Sequence, residues 1–167
     1  MQPSRKKPDR PPSATTAEEA RRDRPVTAIP AQRRTEVAPG PFGIDHLLAE
    51  SREKLTRVSP QEALALQQDG GLIIDIRPQS DRLAEGEIPG ALTVERIVLE
   101  WRLDPSGGHR LDGLHPDRPV VLVCNEGYAS SLAAAQAKGL GLRRATDLAG
   151  GFRAWKAAGL PVTTAVS

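Results

Sequence analysis

Val120-Val121-Leu122-Val123-Cys124-Asn125-Glu126-Gly127-Tyr128-Ala129-Ser130-Ser131 is the stretch on which the reading of this chain turns. Four consecutive β-branched or aliphatic residues predict a strand buried on both faces, and the only cysteine among 167 residues stands at its end. A short polar turn containing Gly127 follows. Ser130 then opens an alanine-rich run of high helix propensity and is expected to be its N-cap. Strand, tight loop and helix start together aim backbone N–H groups and the positive end of a helix dipole at one point. That point holds a thiol.

Working outward, Leu72 to Ile76 reads as a second buried strand, stopped by Arg77-Pro78. Before it, Ser59-Pro60-Gln61-Glu62 is a capping box with proline at the first helical position, and the helix it starts ends at Gly70-Gly71. Leu55 to Val58 is expected to be a brief strand ahead of that helix. Strand, helix, strand with such short connections implies a right-handed parallel crossover and hence an α/β sheet. Farther out, Ile44, Leu47 and Leu48 predict a short amphipathic helix lying on the domain. Asp81 to Glu85 makes a helical turn, and Pro89-Gly90 a tight one. Glu95 to Trp101 is expected to be a helix with Ile97, Val98 and Trp101 on its apolar face. Asp104 to Pro119, rich in glycine and proline, reads as a surface connector. Arg144 to Leu148 predicts another strand, leading into a helix whose Phe152 and Trp155 face the core and which Gly159 and Pro161 end.

The charge of +2 conceals an asymmetry: residues 1 to 40 carry nine Lys and Arg against five Asp and Glu, and the rest fourteen against sixteen. The first forty residues hold seven prolines and no apolar period, so they are expected to be a disordered basic tail, with one domain over residues 41 to 167. The basic pairs of the tail are interrupted by acids and unaccompanied by aromatics, which argues against nucleic acid as a partner; the acids also argue against a transit peptide. No cleavable leader pattern opens the chain and no apolar run is long enough to span a membrane, so a cytoplasmic location without membrane association is expected. A single cysteine excludes an internal disulfide. His46, His109 and His115 lack ligand spacing, so neither a metal nor another cofactor is expected.

The segment from about Leu55 to Val162 resembles a rhodanese-like sulfurtransferase domain. The resemblance rests on Leu72-Ile73-Ile74-Asp75-Ile76-Arg77, on Asp81 with Gly86-Glu87-Ile88-Pro89-Gly90-Ala91, on Cys124, Gly127 and Ser130, and on Gly150-Gly151-Phe152, Trp155 and Gly159-Leu160-Pro161-Val162. It implies a five-stranded, mainly parallel sheet with helices on both faces. It also implies that Cys124 carries sulfur as a persulfide, moved from a small-molecule or protein donor such as thiosulfate or a persulfide to a thiol or cyanide acceptor.

The chemistry follows from the residues as well. A helix N-terminus favours the thiolate, the nucleophilic form, and the helix after Cys124 has no acid in its first turn to occupy the dipole. Asn125, Glu126, Gly127, Tyr128, Ala129 and Ser130 would then form the loop that binds the transferred sulfur. Two features depart from the family pattern. Ala129 stands where many members have arginine, and Glu126 adds a carboxylate, which costs an anionic donor about 1–2 kcal/mol even in a water-like dielectric. Glu87 stands in place of histidine. Asp75 and Arg77 are expected to be structural. Three other readings stay open: a buried inert thiol, a catalytically idle binding or regulatory module, and a cysteine phosphatase, which needs an arginine where this chain has Ser130.

Overall fold

The computed structural model describes residues 40–166. The tail expected over residues 1 to 40 lies outside them except for Gly40. The elements run α1 (Ile44–Glu53), α2 (Pro60–Gln68), β1 (Leu72–Asp75), α3 (Gln79–Glu85), β2 (Leu92–Thr93), a 3₁₀ turn (Arg96–Val98), α4 (Leu99–Leu103), β3 (Val120–Val123), α5 (Ala129–Gly139), β4 (Ala145–Asp147) and α6 (Gly151–Ala157). The strands form one sheet in the order β2-β1-β3-β4, every pair parallel. β3, the cysteine strand, is therefore central, as a strand buried at all four positions must be.

Alternation along β3 divides the core. Val120, Leu122 and Cys124 face one layer with Leu99, Leu103, Ala133, Ala134 and Ala137, while Val121 and Val123 face the other with Ala63, Ile88, Phe152 and Trp155. Helices thus cover both faces, and the parity that buries Leu122 also points Cys124 toward α5. Phe152 and Trp155 are fully buried as expected, each contributing about 1.5–3 kcal/mol of apolar burial, and Trp155 Nε1 donates to the Pro161 carbonyl at 2.9 Å.

Four expectations need correction. The sheet has four strands among the described residues, not five: the segment expected as the first strand makes a single parallel bridge, Val58 to Leu148, because Ser59 caps α2 and Pro60 begins it. Ile97, Val98 and Trp101 face outward. The segment starts as a 3₁₀ turn, whose three-residue period shifts the phase so that Leu99 and Leu103, four apart in α4, are buried instead. α1 leaves Ile44 and Leu47 exposed and is attached through its last turn, at Ser51 and Arg52. The connector after α4 buries Leu111 and Leu114. No helix among the described residues is long and apolar enough to cross a membrane.

Candidate active site

Cys124 follows the last residue of β3 and is buried. Its Sγ accepts hydrogen bonds from the Gly127 N–H at 3.2 Å and the Ser130 N–H at 3.4 Å. The expectation that Ser130 caps the helix is corrected here: α5 begins at Ala129, its N-cap is Tyr128, and no side chain caps it. The cysteine sulfur takes the place of that cap, receiving one of the N–H groups that a helix start leaves unpaired. No acid lies in the first turn of α5. The N–H groups of Asn125, Glu126 and Tyr128 have no acceptor among the described residues. The loop therefore has backbone donors that no described protein group takes up.

Glycine makes the loop close. Gly127 has φ of +81°, and a Cβ there would lie 2.9 Å from Arg57 Nη2 and from the Gly150 nitrogen. Gly151, at φ of +64°, lets the start of α6 pack on the loop backbone, where the Phe152 N–H donates to the Cys124 carbonyl at 2.8 Å and the Arg153 N–H to the Asn125 carbonyl at 3.1 Å. Asn125 is tied from another side, its Nδ2 donating to Asp81 Oδ2 at 2.6 Å. Loop and sulfur are thus held by α3, α5 and α6 together.

Beneath the loop lies a polar group that local spacing did not single out. Asp147, at the end of β4, is fully buried. Arg57 binds it with two bonds, Nε to Oδ1 at 2.9 Å and Nη2 to Oδ2 at 3.1 Å. The Ser130 and Ser131 hydroxyls lie 2.9 and 2.8 Å from Oδ2. Ser130 Oγ is also 3.2 Å from Cys124 Sγ, so one hydroxyl links the sulfur to the carboxylate. Arg57 Nη2 and Arg52 Nη2 both donate to the Gly127 carbonyl, at 2.9 and 2.8 Å, and the Arg52 guanidinium lies 5.4 Å from the centre of the exposed Tyr128 ring. The two arginines brace the loop from behind.

Other residues singled out from the sequence fall around this centre. Glu126 is exposed and paired with Arg153, which also bonds Glu85; the guanidinium is held above its ordinary pKa first by Glu85 and then by Glu126. The lone carboxylate expected in the loop is therefore a paired one. Asp75 and Arg77 form a buried ion pair at 2.7 Å, with Arg77 donating to the Gly86 carbonyl and its guanidinium 3.7 Å from the centre of the Phe152 ring, a structural role. Glu87, which had no assigned part, accepts from Arg82 Nε at 3.0 Å. His46 lies beside Glu50 on α1, and no cluster of three metal-ligating side chains occurs among the described residues.

The chain is similar to known proteins in sequence and in fold. A thiosulfate sulfurtransferase, GlpE, of Pseudomonas entomophila is 34% identical over 101 residues, 60% of this chain and 84% of that protein. A sulfurtransferase of Allochromatium vinosum is 36% identical over 91 residues, 54% of this chain and 77% of that protein. Among solved structures, a Rhodopseudomonas palustris protein of unknown function, described as a possible tyrosine phosphatase, superposes with a TM-score of 0.66 at 31% identity, covering 75% of this chain and 98% of that one. The family model for the rhodanese-like domain matches residues 59–158, from the cap of α2 past the end of α6. A parallel sheet with a cysteine loop between its central strand and a helix is thus joined to a match over most of the described residues, and the chain belongs to the rhodanese-like domain family.

Proposed function

We propose that the protein is a sulfurtransferase that carries sulfane sulfur as a persulfide on Cys124. The observation that supports this most directly is the sulfur seated at an uncapped helix start, accepting from Gly127 and Ser130 N–H groups, with further loop N–H groups free. In the first half-reaction the Cys124 thiolate attacks the outer sulfur of a donor such as thiosulfate or a persulfide. The donor S–S bond breaks and the leaving group, sulfite or a thiolate, departs with the bonding pair. The terminal sulfur of the resulting persulfide carries the negative charge, and the N–H groups of Asn125, Glu126 and Tyr128 are the donors that stabilise it. In the second, an acceptor thiolate or cyanide attacks that terminal sulfur, and Cys124 leaves as thiolate. Binding is carried by the loop Asn125 to Ser130, with Tyr128 exposed at its rim.

Ala129 contributes no cation, and Arg52, Arg57 and Arg153 are engaged with the Gly127 carbonyl, Asp147, Glu85 and Glu126. Loading therefore depends on backbone donors rather than on a side-chain cation, which suits a singly charged persulfide donor at least as well as the thiosulfate dianion. Phosphatase chemistry is disfavoured, since position 130 holds a serine turned to Asp147 where an oxyanion clamp would need arginine. The test is steady-state transfer from thiosulfate or glutathione persulfide to cyanide. Ping-pong kinetics abolished by Cys124→Ser are expected, and turnover retained by that variant would refute the role of Cys124.

A further inference from the structure

The Ser130 hydroxyl has one proton and two neighbours that can take it. Asp147 Oδ2 lies at 2.9 Å and Cys124 Sγ at 3.2 Å, all three groups buried. While the sulfur is a thiol it supplies its own proton, so S–H donates to Ser130 Oγ and the Ser130 O–H donates to Asp147. A sulfur that has become a thiolate needs the hydroxyl proton instead. Asp147 can release it, because Arg57 still donates to both carboxylate oxygens and Ser131 still lies 2.8 Å from Oδ2. No buried carboxylate is orphaned by the exchange.

We propose that Asp147 is a positioning residue that sets the reactivity of Cys124 through Ser130. The pull of its carboxylate holds the Ser130 proton away from the sulfur, and the Arg57 fork limits that pull so that the proton can turn to the sulfur when it becomes anionic. No covalent bond changes at Ser130, since its O–H only rotates from Oδ2 to Sγ. The further a variant weakens the acceptor at position 147, the more freely Ser130 donates to the sulfur. Weakening Arg57 acts the other way, because Asp147 then depends more on Ser130. The Gly127 carbonyl keeps a donor in Arg52 when Arg57 is changed.

The proposal builds on the sulfur-transfer reading, but alkylation of Cys124 by iodoacetamide at fixed pH tests it without any sulfur donor. Asp147→Asn replaces a charge-assisted acceptor by a neutral one of about half its strength, so alkylation should quicken about fivefold. Arg57→Gln should slow it, and Ser130→Ala should slow it while removing both other effects in the double variants. A purely structural Asp147 predicts slower or unchanged alkylation in Asp147→Asn, or equal effects with and without the Ser130 hydroxyl, and either result overturns the proposal. Thermal melts of each variant identify any that fail to fold. The Arg57→Gln pair then decides alone if Asp147→Asn does, and the Asp147→Asn pair decides if Arg57→Gln does.

Discussion

Gly151→Ala is the substitution in which fold and site are most directly coupled. A Cβ at Gly151 would lie 2.5 Å from the Cys124 carbonyl oxygen and 2.6 Å from both the carbonyl carbon and oxygen of Asn125. These are backbone atoms of the loop itself, so no flexible side chain can yield. The φ of +64° adds the left-handed penalty of about 1–2 kcal/mol, and overpacking against fixed atoms adds about 1–3 kcal/mol. A total loss of about 2–5 kcal/mol corresponds to a melting temperature lower by about 8–20 °C for a domain of this size. Gly159→Ala is the control. Its φ is +70° but nothing lies within 4 Å of the added Cβ, so it should lose only the conformational part. Thermal denaturation followed by circular dichroism compares the two, and sulfur loading of the folded fraction shows whether the displaced loop still works. Equal melting temperatures for the two variants would refute the claim that the start of α6 is locked onto the cysteine loop.

Ala129→Arg should restore a cation at the loop and raise kcat/KM for thiosulfate about tenfold, with a smaller change for a persulfide donor; parallel changes for both donors would count against a specific role for charge. Ser59→Ala removes the hydroxyl of the α2 capping box and should cost about 1 kcal/mol in urea denaturation. The same cap has a pH signature: the Glu62 carboxyl is held below its ordinary value of 4.5, first by the Ser59 N–H and then by the Ser59 hydroxyl. A lowered folded-state pKa stabilises above the unfolded value and is lost as pH falls through the folded one. Glu62→Gln should therefore flatten the decline in stability below about pH 4.5, and an unchanged acid limb would contradict the assignment.

What the sequence made legible follows physical range. β1 and β3 announce themselves as short buried apolar runs, and the cysteine loop as a turn between such a run and an alanine-rich helix. The α2 cap is legible because all its bonds lie within four residues. The strand expected from Leu55 to Val58 dwindles to one bridge because the cap that follows competes for the same chain. The outward turn of Ile97 and Trp101 depends on a 3₁₀ start that apolar spacing does not reveal.

Asp147, Arg57 and Arg52 carry no local signal of their place at the site, for a different reason. Arg57 and Asp147 are 90 positions apart, and Arg52 reaches Gly127 across 75. No periodicity links such pairs. The one available signal is parity: with β3 and β4 adjacent and Leu122 opposite Asp147, the carboxylate must share the face of Cys124. Register supplies that, and the sequence alone does not contain it.

The central claim, that Cys124 carries the transferred sulfur, is tested most directly by the mass of the intact protein after incubation with thiosulfate, polysulfide or glutathione persulfide. One added sulfur atom, removed by cyanide and absent in Cys124→Ser, is the predicted result. No adduct from any of the three donors, or an adduct that persists in Cys124→Ser, would contradict it.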